Sequence, residues 1–201
     1  MSADAIDSGS RPLMGFRTMV LNLAVTVGLA LGITTLMGKQ PLIDLLLQGK
    51  PWPMQAIWGI AVGLLLAMPL KLLISRVAWF DAYRRQMLEL ASRLDLSGLN
   101  PLWFSLCAGV GEELLFRGAL QPLAGPWLTS AVFTALHYQT GGFRTMNRWK
   151  VMYAVLIFLV SLGLGAVAVQ IGLIAAIATH TVADIVGLMS LRGARSGGNT
   201  G

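Results

Sequence analysis

Apolar residues along the chain fall into six long runs, separated by short polar segments. The runs lie near residues 15–37, 53–74, 101–120, 123–138, 151–169 and 171–190. A helix needs about 20 consecutive, predominantly apolar residues to cross a bilayer. The pattern therefore predicts an all-α fold, a polytopic bundle of about six transmembrane helices. The fourth span is short, and the turn before the last one is very tight.

The segment 75–98 has a different pattern, because bulky apolar residues alternate there with charged ones. Trp79, Phe80 and Leu88 are interspersed with Arg84 and Arg85. Such a helix buries its apolar face in the membrane surface and keeps its charges in water. We expect one interfacial amphipathic helix on the inner surface; a role in substrate binding is the alternative.

The ends of the chain are less apolar than its centre. We expect residues 1–13 to form a cytoplasmic tail and 14–191 to form one membrane domain, in which 100–190 is the core that carries the motifs. The first run is too long for the core of a signal peptide and should remain as an anchor. The Gly- and Ser-rich segment 192–201 is expected to be disordered.

Composition agrees with a membrane protein. Of 201 residues, 55% are hydrophobic and 12% are charged, whereas soluble domains contain about 25% charged residues. The net charge of +6 comes from residues between the apolar runs, so we interpret it as a topology signal and expect no nucleic-acid partner. The single cysteine, Cys107, excludes an internal disulfide.

The basic residues also predict the orientation. With six spans and both termini inside, twelve of the 15 Lys and Arg residues lie on the inner side, whereas Lys39 and Lys50 lie outside and Arg117 lies within a span. Cytoplasmic loops carry the excess of Lys and Arg. We therefore expect a multi-pass protein of the cell inner membrane with both termini in the cytoplasm.

Carboxylates or histidines occur in three of the six apolar runs, where ionisable groups are costly and mark functional sites. They are Glu112 and Glu113 in the third run, which also contains Arg117, His137 at the end of the fourth, and His180 and Asp184 in the sixth. His137 and His180 are the only histidines of the chain.

Helix geometry separates the roles of the two glutamates. Neighbouring residues point about 100° apart on a helix, whereas residues four apart share a face. Glu113 therefore pairs most simply with Arg117 as a structural ion pair, and Glu112 is free to face a cavity. By the same spacing His180 pairs with Asp184, and Phe133 lies beside His137, where its ring could form a wall of the site.

A carboxylate and an imidazole that hold one water form a general-base arrangement. A second polar pair could stabilise the oxyanion of a tetrahedral intermediate. Together these groups favour hydrolysis of a peptide bond by activated water. The alternative is a polar network that only determines helix packing.

At these residues the chain resembles the CPBP family, the CAAX-protease and bacteriocin-processing (Abi) membrane endopeptidases. The family pattern is E-E-x-x-x-R, then F-x-x-x-H, then H-x-x-x-N or D, each on its own transmembrane helix. Here it appears as Glu112-Glu113…Arg117, Phe133…His137 and His180…Asp184, within about residues 100–190.

The resemblance implies an intramembrane protease that depends on glutamate. Glu112 would activate water, His137 would help to hold it, His180 and Asp184 would line the oxyanion side, and Glu113 with Arg117 would support the site. Asp184 stands where some relatives carry Asn, and an ionised carboxylate cannot donate a hydrogen bond to an oxyanion. Either Asp184 is protonated, or it orients His180 as the donor.

The expected partners are the lipid bilayer and a membrane-associated peptide or protein substrate, which the sequence does not identify. No cofactor is expected, although Glu112 and the two histidines could in principle hold zinc. Two other functions are considered: a non-catalytic family member that acts as an immunity or scaffold protein, and a small proton-coupled transporter, since intramembrane Glu and His residues also serve in proton relays.

Overall fold

The computed structural model describes residues 14–37, 40–140 and 148–197. The α-helices in these ranges are α1 (Phe16–Met37), α2 (Leu42–Leu47), α3 (Trp52–Arg76), α4 (Asp81–Ala91), α5 (Asn100–Glu113), α6 (Gln121–Thr140), α7 (Arg148–Gln170) and α8 (Leu173–Gly197). A 3₁₀ turn (Ala78–Phe80) precedes α4, and a π-helix (Leu114–Leu120) joins α5 to α6.

The expectation of an all-α fold is confirmed. Across the described ranges every regular element is helical, and extended pairing is limited to an isolated bridge between Met14 and Leu94. In this bridge the Met14 amide donates to the Arg93 carbonyl over 2.8 Å, which ties the start of α1 to the segment before α5.

Four helices in the described parts of the chain are long and apolar enough to cross a membrane: Phe16–Met37, Trp52–Arg76, Lys150–Gln170 and Leu173–Ala194. They correspond to the first, second, fifth and sixth expected spans. The third expected span, which contains Glu112, Glu113 and Arg117, and the fourth are not among these four helices. The chain is a multi-pass membrane protein, and the total of six spans stays a prediction.

The third and fourth expected spans form an antiparallel hairpin that reverses at Gly125. This glycine has φ +76° and ψ 165°, a left-handed conformation that residues with a side chain rarely adopt. Pro126 follows and starts the second arm, whose fifteen residues to Thr140 extend about 22 Å at 1.5 Å per residue. The Phe116 and Phe133 rings meet across the hairpin at 4.8 Å.

Helix α8 packs closely against α3 because glycines face the contact. A Cβ atom at Gly59 would lie 2.5 Å from the Ala175 carbonyl oxygen, and one at Gly63 would lie 2.9 Å from that of Thr179. The Thr179 hydroxyl donates to the Gly59 carbonyl over 3.0 Å. Small residues permit this approach in membrane helices. The contact keeps α8, which carries two of the candidate site residues, in place.

A buried glutamine connects α3 with the start of α8. Gln55 is fully buried, and its Nε2 donates to the carbonyls of Gln48 and Lys50. Its Oε1 accepts a hydrogen bond from the Ile174 amide over 3.0 Å. This amide belongs to the first turn of α8, where backbone donors have no partner within the helix. Gln55 therefore caps α8 from a neighbouring helix.

Two expected boundaries need correction. Helix α8 continues to Gly197, so residues 192–197 do not belong to a disordered tail. One reason is that Arg192 donates to the Gly98 carbonyl over 2.9 Å, which anchors the end of the helix. The expected amphipathic helix over 75–98 is shorter and forms α4 only. Residues 1–13 and 198–201 lie outside the described residues, as do Lys39 and Arg144.

Candidate active site

The residues of the three sequence motifs come together where α5, α6 and α8 meet. Glu112 and Glu113 end α5, Arg117 lies in the π-helix, Phe133 and His137 lie on the second arm of the hairpin, and His180 and Asp184 lie on α8. Helices α5 and α8 approach closely here because Gly109 faces Thr181 without a side chain. The close approach allows carboxylates on α5 to reach an imidazole on α8.

Glu113 is the most enclosed carboxylate of the site. Its side chain is fully buried, and its Oε1 accepts hydrogen bonds from Arg117 Nη1 over 3.0 Å and from His180 Nδ1 over 2.7 Å. The sequence predicted the pair with Arg117 but not the bond to His180. A carboxylate that already accepts from a guanidinium can only accept from the imidazole, so Nδ1 carries the proton.

Glu112 points away from the ion pair and toward both histidines. Its Oε2 lies 3.6 Å from His137 Nε2 and 4.0 Å from His180 Nε2, beyond direct hydrogen-bond distance. This oxygen forms no hydrogen bond with any residue in the described ranges. The Glu112 side chain is 18% exposed and so is less enclosed than Glu113, although its Oε2 atom is itself buried.

His180 connects the buried and the open parts of the site. Its Nδ1 binds Glu113, and its Nε2 lies 3.5 Å from Asp184 Oδ2. Side-chain exposure rises from 10% at His180 to 29% at His137 and 40% at Asp184. The site therefore opens on the side of His137 and Asp184, and it is closed on the side of Glu113.

The Phe133 ring forms a wall of the site. It stacks on the His137 ring, with the centroids 4.1 Å apart and the planes at 23°. On the other side the Arg117 guanidinium lies 4.8 Å from the ring centroid, a distance suited to a cation–π contact. Phe133 is buried and separates the ion pair from the open side. The sequence predicted the neighbouring position of Phe133 and His137 but not the contact with Arg117.

Sequence reasoning missed one residue that contacts the site. Ser161 lies on α7 and is fully buried, and both its carbonyl and its hydroxyl oxygen accept from Arg117 Nη2 over 2.9 Å. A signal was present, because Ser161 is a polar residue in the apolar run 151–169. No rule of helical spacing connected it with Arg117, 44 positions earlier in the chain.

The imidazole nitrogens and carboxylates of the site belong to chemical types that can bind metal ions. In the part of the chain that the structure describes, no group of three His, Cys, Asp or Glu residues is arranged to hold a metal ion. Glu112 and the two histidines do converge, but at distances of 3.6 and 4.0 Å from one oxygen.

Chemically, the arrangement offers a carboxylate, Glu112, whose unpartnered Oε2 lies toward an imidazole, and a second imidazole oriented by the buried carboxylate of Glu113. Free carboxylate oxygens accept protons, and positioned imidazoles donate or accept them. The open side of the site is wide enough to leave Asp184 partly exposed. Such a set suits hydrolysis, in which a base removes a proton from water.

Comparison with known proteins supports a hydrolytic family. Residues 96–186 match the family model described as "Type II CAAX prenyl endopeptidase Rce1-like". The chain is also 36% identical over 63 residues to the uncharacterized protein YpbD of Bacillus subtilis (strain 168), a match that covers 31% of each chain. No solved structure matches the chain.

The family match includes all three motifs, since Glu112, His137 and Asp184 fall within residues 96–186. It confirms the resemblance to the CAAX-protease family. The curated relative supports no more than kinship, because less than a third of its length is matched. Residues 96–186, a little under half of the chain, are therefore similar to the Rce1-like CAAX prenyl endopeptidase family.

Proposed function

We propose that this protein is an intramembrane endopeptidase in which Glu112 activates a water molecule to attack a peptide bond. The observation that carries the proposal is the different environment of the two adjacent glutamates. Neither Glu112 Oε2 nor Glu113 Oε2 has a hydrogen-bond partner in the described ranges. Glu113 is fully buried and its other oxygen is bound to Arg117 and His180, whereas Glu112 Oε2 lies 3.6 Å from His137 Nε2 and 4.0 Å from His180 Nε2. A base must have a free lone pair within reach of the proton that it removes.

His137 acts with Glu112 on the attacking water. The separation of 3.6 Å between Glu112 Oε2 and His137 Nε2 is too long for a direct hydrogen bond but suits a water that contacts both. Stacking on Phe133 and a hydrogen-bond contact of 3.0 Å between Nδ1 and the Phe133 carbonyl orient the His137 ring. In this contact Nδ1 donates, which leaves Nε2 as an acceptor for the water.

His180 and Asp184 lie on the side of the oxyanion. As the carbonyl becomes tetrahedral, its oxygen gains negative charge, and a donor placed in advance stabilises it. His180 Nε2 lies 3.5 Å from Asp184, and its other nitrogen is held by Glu113. A protonated imidazole at this position donates to the oxyanion, and Asp184 stabilises the charge on that ring.

The substrate we propose is a peptide or a protein tail associated with the lipid bilayer. The family description names CAAX prenyl endopeptidases, which cleave at a membrane. In this chain the motif residues lie among long apolar helices, so a substrate must reach them at or within the membrane. The site is not proposed to hold a metal or a cofactor.

The test compares membrane-associated peptides in cells that express the wild type or Glu112→Gln. The amide keeps the shape of the side chain but is not a base at neutral pH. We expect processing to fall by about 10²–10⁴-fold, the usual contribution of a general base. Peptide mass spectrometry of the membrane fraction measures this change, and addition of a chelator is expected to leave the wild type active.

The matched control is Glu89→Gln, which removes the same charge from an exposed position of α4, where 73% of the side chain is accessible. It should leave processing unchanged. Full processing by Glu112→Gln would refute the proposed base and would favour an immunity or scaffold role. Loss of ion-driven uptake in vesicles would indicate a transporter instead.

A further inference from the structure

Helix α7 carries no motif residue, but it contacts the site through Ser161. Both oxygens of this residue accept from one nitrogen of Arg117, Nη2, over 2.9 Å. The other terminal nitrogen, Nη1, donates to Glu113. The guanidinium is thus held between α5 and α7, and all three side chains are buried. The guanidinium also lies 4.8 Å from the centroid of the Phe133 ring and 5.9 Å from that of the Phe116 ring, and neither ring replaces these acceptors.

A second hydrogen bond joins the same two parts of the chain one helical turn away. Gln121 Nε2 donates to the Gly165 carbonyl over 3.2 Å. Gly165 has no side chain, and a Cβ atom there would lie 2.5 Å from Gln121 Oε1. The two residues of each pair are 44 positions apart in the chain. The pairs therefore form two neighbouring connections between α7 and the end of the first arm of the hairpin. Only the connection at Ser161 continues into the site.

From Ser161 a continuous series of hydrogen bonds leads to the imidazole on α8. Ser161 accepts from Arg117, Arg117 donates to Glu113, and Glu113 accepts from His180 Nδ1 at 2.7 Å. The last bond determines which nitrogen of His180 carries the proton and where its Nε2 points. The orientation of a catalytic imidazole depends on the group that binds its second nitrogen.

We propose that Ser161 is a positioning residue of the site: by holding the Arg117 guanidinium it keeps Glu113 in place to orient His180. The expected effect of Ser161 on cleavage rests on the proposed function. Its expected effect on the orientation of His180 does not require a substrate. The role requires the Ser161 hydroxyl and not only the carbonyl, because every residue at this position would offer a carbonyl oxygen.

The test uses the fact that the chain contains only two histidines, His137 and His180. NMR of the full-length protein in nanodiscs, with ¹⁵N-labelled histidine, resolves two imidazoles, and a His137→Gln variant assigns them. We expect Ser161→Ala to shift or broaden the Nδ1–H signal of His180, whereas Ser161→Thr keeps it. In the cleavage assay kcat should fall about tenfold with little change in KM, as expected for one lost hydrogen bond to a charged group.

Gln121→Met is the matched control, because it removes the other connection to α7 without touching the series that leads to His180. Its His180 signal and kcat should match the wild type. If Ser161→Ala does not fold, Ser161→Cys keeps the size of the side chain with a weaker acceptor and should change the same signal. An unchanged His180 signal in Ser161→Ala and Ser161→Cys, or an equal change in Gln121→Met, would overturn the proposal. The NMR signal of His180 tests the role of Ser161 even if Glu112→Gln shows that the protein is not a protease.

Discussion

At the scale of single residues, two neighbouring carboxylates differ because a helix points them in different directions. Glu113 faces Arg117 and His180 in a fully buried environment, whereas Glu112 faces the open part of the site at 18% exposure. A buried charge needs a partner, and removing one member of such a pair costs roughly 3–5 kcal/mol. Its two partners thus account for the burial of Glu113, and in the proposed function Glu112 is the base.

Spacing along the sequence was enough to predict this separation, because residues four apart on a helix share a face. The pair of Glu113 and Arg117 is found at 3.0 Å. The bond between Glu113 and His180 could not be predicted, since it joins residues 67 positions apart. Such a contact depends on how α5 and α8 cross, and the spacing of residues within one helix gives no information about that crossing.

Asp184 is the partly exposed carboxylate beside His180 Nε2. We expect Asp184→Asn to retain activity within about tenfold, because the amide oxygen still accepts from the His180 N–H and only the charge-assisted part of this interaction is lost. Cleavage by the purified protein in nanodiscs measures it. Asp184→Ala is the control that removes the acceptor as well as the charge and should be less active than Asp184→Asn. An inactive Asn variant with a normal fold would show that the negative charge beside His180 is required.

At the scale of helices, the π-helix between α5 and α6 is the main feature that the sequence did not predict. It begins directly after Glu113 and includes Arg117 and Gly118. Single π-helical turns are rare and often occur at functional sites. The wider turn places Arg117 toward Ser161 and Gln121 toward Gly165. Apolar periodicity does not distinguish an α- from a π-helix over seven residues, so only the structure shows this turn.

The contact between α3 and α8 leaves no space for a side chain at Gly59. Gly59→Ala should lower the free energy of unfolding by about 1–3 kcal/mol, because overpacking of a close contact shifts the backbone. A Cβ there would lie 2.5 Å from the Ala175 carbonyl and 2.7 Å from Ala178 Cβ. Denaturant unfolding in detergent micelles measures the change.

The matched control is Gly28→Ala on α1, where a Cβ atom meets nothing within 4 Å. This change should be neutral, or should stabilise the protein by up to about 1 kcal/mol through helix propensity. Equal stabilities of the two variants would show that Gly59 is not a tight contact. The sequence contained both pairs, Gly28/Gly32 and Gly59/Gly63, and could not show which of them packs.

At the scale of the whole molecule, the charge distribution predicts the orientation in the membrane. Basic residues on one side of the bundle favour the cytoplasm. The described helices are consistent with spans that cross the membrane in alternating directions. Helices α1 and α3 are joined through the short helix α2, and helices α7 and α8 are joined by the turn at Ile171-Gly172. We therefore predict that Gln48 faces outward and Ser92 faces the cytoplasm.

Cysteine labelling checks this orientation in a Cys107→Ser background. A membrane-impermeant maleimide should label Gln48→Cys in intact spheroplasts and Ser92→Cys only after the inner side is made accessible. Tyr138→Cys, beside His137, should behave like Ser92→Cys, because the exposed His137 and Asp184 mark the open side. Labelling of Tyr138→Cys from outside would place the opening on the other side of the membrane.

The sequence by itself determined the all-α membrane fold, the approximate helix positions and the motif residues, because hydrophobic periodicity and helical spacing are local properties. The tertiary structure decided which helices touch: Gly59 against α8, Gln55 at the start of α8, and Ser161 beside Arg117. It also decided that Glu113 holds His180. These contacts join residues far apart in the chain, and they depend on helix crossings and on glycine positions whose partners the linear pattern does not specify.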